Sequence, residues 1–229
     1  MTNKYLKSLI DKLNKGKTGG LIHLRPLTSI VDFAKVWTEK PKPTDNISHP
    51  DGPYKFYFIK NSDHFFVATV LDMGRDLHWF VDDKHRRQGH LTKAMKETIL
   101  FHLFQDREEQ RVTIDINQIG EKDFKASQNV ALSIGFQKAD NSDYILTNRK
   151  YETENYVYGQ NIPLTEARLT ELQKQINYLA RSLWVIHSEV ETKLGDTDYT
   201  EELKELIDEI KKHTCRIENA WWKTKNLTE

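Results

Sequence analysis

LHWFVDDKHRRQGHLTKAM, residues 77–95, is the stretch on which the fold turns. Its first five residues are aromatic and β-branched with alternating character, the composition of a strand. From His90 the run HLTKAMKETILFHLF spaces its apolar residues for a helix. Only a short basic turn, Arg-Arg-Gln-Gly, lies between the two. A strand that feeds so directly into a helix presents the helix's first unpaired amides, and the positive end of its dipole, at the strand's exit. Phosphates are stabilised there. Gly89 lets the backbone approach closely, and Arg86 and Arg87 add charge-assisted donors. The Gly-Lys-Ser/Thr ending of a Walker A loop is missing, as is G-x-G-x-x-G, so nucleotide triphosphate hydrolysis is disfavoured. The plainer alternative is a solvated basic turn at a helix start.

Upstream, LIHLRPL at Leu21 to Leu27 alternates as a strand, and SIVDFAKVWTEK places Ile30, Phe33, Ala34 and Trp37 on one helical face. Prolines and glycine between residues 41 and 53 make a loop. YKFYFI and HFFVATVL, joined through Asn-Ser-Asp, form an antiparallel hairpin with LHWFV as the next strand. Downstream come a strand at RVTIDI, a helix over EKDFKASQNVALSI ending before Gly135, and a closing strand around Tyr144 to Thr147. The order β, α, β, β, β, α, β, α, β implies an α/β domain over residues 21–150, with a mixed, partly antiparallel sheet flanked by helices.

Two appendages flank it. Residues 1–20 carry five Lys against one Asp, and Leu6, Leu9, Ile10 and Leu13 recur at helical spacing, so a short amphipathic helix packs against its own protein or a second subunit. Over residues 163–226 the apolar residues Leu169, Leu172, Ile176, Leu179, Leu183, Ile186 and Val190 step by three and four, then Leu203, Leu206, Ile210, His213, Ile217 and Ala220 continue the step. This reads as an antiparallel coiled-coil helical hairpin, with Asp198 and Glu201 at capping-box spacing. Two helices cannot enclose a core alone. The expectation is therefore a homodimer through the hairpin, with Trp184 and Trp221 among its buried contacts.

The 229 residues hold 34 Lys and Arg against 34 Asp and Glu, a balance that points away from nucleic acid as a bulk partner. One cysteine, Cys215, excludes an internal disulfide and thiolate zinc sites. The histidines show no metal-binding pair, so no metal is expected. No apolar run reaches a membrane span, and the N-terminus lacks a signal h-region, which fits a cytoplasmic protein without membrane contact.

R-R-Q-G-H-L-T-K-A-M resembles the acetyl-coenzyme A signature Q/R-x-x-G-x-G/A of the GNAT N-acetyltransferase superfamily, preceded by a strand resembling W-F-V-D. SQNVALSIGF, residues 127–136, resembles the family's second motif. Leu91, Thr92 and the S-x-x-V-A-x-x-x-G-F form are similar to the branch that holds ribosomal-protein N-terminal acetyltransferases. The resemblance spans Leu21 to Asn148 and leaves the hairpin uncovered. It implies an acetyltransferase-like fold that moves acetyl from acetyl-CoA to a primary amine: a protein N-terminus, a lysine or a small-molecule amine. By position, it implies that the pyrophosphate sits on the amides of Gln88, Gly89, His90, Leu91 and Thr92, beside Arg86 and Arg87, and that Phe80 and Val81 offer backbone partners to pantetheine. Where many members carry Asn and an acid Tyr, this chain has Phe124 and Ala131. Tyr144 or a water then serves as acid. Candidate bases on the strands that form the family's acceptor cleft are Asp76, His78 and Asp115, with His78 favoured; the loop at 41–53 and the tail choose the acceptor. The alternative is a catalytically idle acyl-CoA-binding or interaction protein acting through the hairpin.

Overall fold

In the computed structural model, residues 1–48, 52–151 and 162–225 are described, so His49, Pro50 and Asp51 of the 41–53 loop and residue 226 of the hairpin lie outside them. The chain forms two compact units, Met1–Gln160 and Asn161–Glu229.

The first unit is mixed α/β. Its main sheet has five antiparallel strands in sequential order: β1 (Ile22–Pro26), β2 (Val31–Val36), β3 (Tyr54–Lys60), β4 (Phe66–Asp72) and β5 (Leu77–Val81). A second, three-stranded antiparallel sheet has the order β6 (Glu109–Thr113), β8 (Asp143–Thr147), β7 (Gln137–Lys138). One parallel bridge, Asp76 to Arg111, joins the two sheets.

Alternation along the strands sends side chains to two separate cores. Tyr57 and Ile59 of β3, with Ala68 and Val70 of β4, face a cluster completed by Leu91, Met95, Ile99, Leu103 and Phe136. Phe56, Phe58 and Leu71 face the other way, against Leu6, Leu9, Ile10 and Leu13 of α1 (Asn3–Asn14). A sheet covered on both faces explains why YKFYFI and FVATVL read as almost continuous apolar runs. The basic leader thus packs on its own protein. Lys7 of α1 pairs with Asp82 just beyond β5, and Asn14 brackets Phe66 through its main-chain N–H and C=O at 2.8 and 2.9 Å.

SIVDFAKVWTEK is a strand where helical spacing suggested a helix. Val31 to Val36 pairs with β1 on one side and β3 on the other. Ile30, Phe33, Ala34 and Trp37 fit a helical period, but an alternation runs through the same stretch: Val31 and Phe33 face one core, Ala34 and Val36 the other. Thr28 decides between them, because its hydroxyl accepts from the amides of Ile30 and Val31, at 3.4 and 3.2 Å, and folds the chain straight back from β1. Two ladders of hydrogen bonds then outweigh a short, uncapped helix.

After β5 a helical run proceeds through α2 (His90–Ala94), one π turn (Met95–Ile99) and α3 (Leu100–Leu103). The last helix of the unit, α4 (Ile116–Ile134), is broken at Gly120, whose φ 76°, ψ 161° lies in a region open to glycine almost alone. Under the β4–β5 turn, Arg107 grips Asp72 through both guanidinium nitrogens, at 2.9 and 3.1 Å, and donates to Gln110 at 2.6 Å.

The second unit is a helical pair, α5 (Glu166–Leu194) and α6 (Asp198–Lys225). Gln173 donates to the Thr214 carbonyl and Trp221 to the Leu164 carbonyl, contacts that fix the helices antiparallel. The stripe that meets the partner helix is rotated from the expected one. On α5, Ala180 and His187 are buried whereas Leu179 and Ile186 are exposed; on α6, Ile207 is buried and Leu206 is not. Thr197 caps α6 through the Thr200 amide at 3.3 Å, one residue ahead of the expected cap. No helix among the described residues is long and apolar enough to cross a membrane.

Candidate functional site

The bridge at Asp76 is where β5 and β6 part. Asp76 Oδ1 accepts from its neighbour Leu77 at 2.8 Å and from the Thr113 amide on β6 at 2.9 Å, which pins the two strands together at one end. Beyond it β5 pairs only with β4, and β6 only with β8. An open cleft of about 1470 Å³ lies between them, closed on its far side by α4. β5 is the edge strand of the main sheet, and Leu77 to Val81 line this cleft, with the Val81 carbonyl accepting from Arg86 Nε at 3.4 Å.

The mouth is the basic turn. Arg87 holds φ 62° and Gly89 φ 79°, so two left-handed residues flank Gln88 and fold the backbone sharply into α2. A left-handed arginine is strained, and such strain persists where surrounding structure holds it. No side chain caps α2 at Gly89, and a Cβ built there meets nothing within 4 Å. The helix start is therefore open to the cleft. Arg86 is already engaged: it reaches Asp83 at 3.0 Å and Asp123 of α4 at 3.1 Å, tying the turn to α4. Lys125 is likewise paired with Glu121 at 2.6 Å. Arg87 and Lys122 line the cleft without an ion pair among the described residues, and with Arg86 set against two carboxylates the lining holds four cationic side chains against Asp83, Glu121 and Asp123, a small positive excess. An anion fits there.

Of the residues the sequence singles out, Phe80, Val81, Arg86, Arg87, Gly89, His90, Leu91, Thr92 and His78 all line this one cleft. Gln88 does not. Its amide nitrogen donates to the Lys84 carbonyl at 3.1 Å and its oxygen meets His90 at 3.0 Å, so the side chain braces the turn from behind. Asp115 caps α4 by accepting from the Asn117 amide at 2.9 Å. Tyr144 is fully buried and its hydroxyl accepts from Gln128 at 2.8 Å. Asp76, Asp115 and Tyr144 are thus held by structural bonds outside the lining, and His78 alone of the four acid–base candidates faces the space.

His78 is half-buried on β5, and its Nε2 lies 3.2 Å from Asn3 Oδ1 on α1. Burial holds its imidazole below the usual histidine range, with the nearby Asp76 charge a smaller opposing influence. A neutral imidazole at neutral pH can accept a proton. Sequence reasoning missed Asn3, because nothing local marks a residue whose position depends on α1 crossing β4 and β5. It also missed Asp123, although Asp123 follows from the helical spacing of α4 once the helix is known to face Arg86. On the cleft side α4 presents Ser127, Asn129 and Ser133, whereas Ala131 points into the core. Among the described residues no cluster of three His, Cys, Asp or Glu is placed to hold a metal ion.

Compared with known proteins, the chain matches no family model, no curated protein and no solved structure.

Proposed function

We propose that the protein is an N-acetyltransferase of the GNAT type, moving acetyl from acetyl-CoA to a primary amine. The observation that carries this reading is the strand-turn-helix mouth. An uncapped helix start with Gly89 and unpaired Arg87 opens onto a cleft bounded by the edge strand β5, which suits a ligand with a pyrophosphate at one end and an extended amide-bearing arm. The paired motifs quoted above add to it.

The residues present fit that ligand: Gly89 lines the cleft, a Cβ there would stand in open space, and its φ of 79° is one that a side-chain-bearing residue rarely adopts. The amides of residues 88–92 and the Arg87 side chain hold the phosphates, and the main chain of Phe80 and Val81 aligns the arm along β5. When bound, acetyl-CoA supplies an activated acetyl group on a thiol leaving group whose pKa is about 8.5, low enough to depart without a strong acid. That suits a cleft lined by Ser127, Asn129 and Ser133 with Tyr144 tied up in the core. His78, kept neutral by burial and oriented by Asn3, takes the proton from the attacking amine. An α-amine near pKa 8 makes a smaller demand on such a base than a lysine near 10.4, so protein or peptide N-termini are the acceptors this site serves best.

Thiol release from acetyl-CoA over a panel of peptides and small amines tests the activity. Release with any amine, lost in Gly89→Glu, supports it. The second reading, an acyl-CoA-binding or interaction protein without turnover, is favoured by the missing phenol at the cleft; binding without release across the panel selects it.

A further inference from the structure

The helical pair carries an apolar face that its own two helices do not use. On α5 the residues turned to α6 are Leu169, Gln173, Ile176, Ala180, Leu183 and His187; on α6 they are Thr200, Leu203, Ile207, Ile210, Thr214 and Ile217, buried or half-buried throughout. Both stripes step by three and four, the a and d positions of a heptad. Residues one place before each a position fall at g, and in an antiparallel pair the two sets of g residues share one side. Here they are Leu172, Leu179 and Ile186 with Tyr199, Leu206 and His213. Leu179, Ile186, Tyr199 and Leu206 are 54%, 49%, 56% and 50% exposed. The opposite, e side holds Asn177, Glu191, Lys204, Lys211 and Glu218, with Trp184 resting on the Ala180–Leu203–Ile207 cluster.

Apolar residues at a, d and g together are the pattern of a helix inside a four-helix bundle, whereas a two-helix pair needs a and d alone. The c positions flanking the stripe identify the missing half. The charged ones are Glu189 and Glu202 toward the turn at Gly195, Glu209 at mid-length, and Arg168, Arg216 and Lys223 toward the other end; within their own helices Glu189 pairs with Lys193, Arg168 with Glu171 and Arg216 with Glu209. We infer that the face is covered by a second copy of itself, packed tip to base about a two-fold axis level with Leu179 and Leu206. The alignment sets Glu189 against the second copy's Arg168 and Glu202 near its Arg216, so each acidic tip meets a basic base. Packed tip to tip, the same stripe would set Arg168 near the second copy's Arg216 and Glu189 near its Glu202, like charge beside like. A lipid surface is a poor match, because an interfacial helix surrounds its apolar face with Lys and Arg rather than with carboxylates. The face measures roughly 43 Å by 20 Å from helix length and diameter. That is on the order of the 800 Å² per partner found in stable complexes. Trp221, whose indole donates to the Leu164 carbonyl, and Trp184 serve the pair itself, so the contact differs from the tryptophan-centred one the sequence suggested.

This inference stands on the helical pair and is independent of the cleft's chemistry. Sedimentation equilibrium of the full chain at micromolar concentration tests it. The expected mass is twice 26.9 kDa. Leu179→Glu with Leu206→Glu should return the single-chain mass with unchanged helical circular dichroism, while Lys204→Glu with Lys211→Glu on the opposite side should leave the dimer intact. Because a core-adjacent variant can unfold, a surface pair provides the second arm: Glu189→Lys should weaken dimerisation by roughly fivefold and added Arg168→Glu should restore it. A wild-type mass near that of one chain, a dimer that survives the double leucine variant, or a failure of Arg168→Glu to restore would each overturn the proposal.

Discussion

His78 links the electrostatics of the cleft to a measurable pH dependence. Its imidazole sits below the ordinary value of 6.5 chiefly because it is buried. A base that stays neutral as the solution acidifies keeps working, so the acidic limb of kcat/KM should fall below pH 6.5, and His78→Ala should remove that limb while leaving cofactor affinity unchanged. A profile that keeps the same limb in His78→Ala removes the residue from the mechanism. His102, which lies 2.7 Å from the Tyr57 hydroxyl, is depressed by burial in the same way. For both residues the folded chain binds fewer protons than the unfolded chain once pH drops below 6.5. Their contribution to stability is therefore complete above that pH and lost as pH falls through and beneath it. Urea midpoints should decline from neutral pH toward about pH 5, and less steeply in His102→Gln; a flat midpoint across that window contradicts the assignment.

Asp115 belongs to the scale of the element, where a carboxylate that sequence reasoning counts among the catalytic bases is a helix cap. Asp115→Ala should cost about 1 kcal/mol of stability, with Asp115→Ser restoring most of it, and turnover per folded molecule should not change. Loss of turnover at unchanged stability would reinstate a catalytic role. The β5-turn-α2 passage was legible because its chemistry is local: a strand composition, a turn with Gly89, and a helical period follow one another without a gap. The helix at SIVDFAKVWTEK failed for the opposite reason. Ile30, Phe33, Ala34 and Trp37 fit a helical period while Val31, Phe33, Ala34 and Val36 alternate between the two cores, and the choice rests on pairing with β1 and β3 and on a Thr28 turn. The seam of α5 failed by one position for a similar cause. The most apolar stripe is not the one that meets α6, where Ala180 and His187 are buried. Leu179 and Ile186 were then left outside, and that excess of apolar surface is what points to a second copy.

The first unit's two sheets meet at the Asp76 bridge and part below it, which leaves a fork between β5 and β6. Nearly every residue that the sequence marked for cofactor binding converges on that fork from β5, the turn and α2, while the acid–base candidates scatter because each depends on contacts between distant elements. The central claim is that the fork takes acetyl-CoA at the Gly89 turn. Isothermal titration of wild type and Gly89→Glu with acetyl-CoA, at low and high salt, tests it most directly. The expected result is one site per chain in the wild type, an affinity that falls with salt because phosphates meet Arg87 and Lys122, and loss of binding in a Gly89→Glu protein that remains folded. No binding by the wild type, or equal affinity in Gly89→Glu, would contradict it.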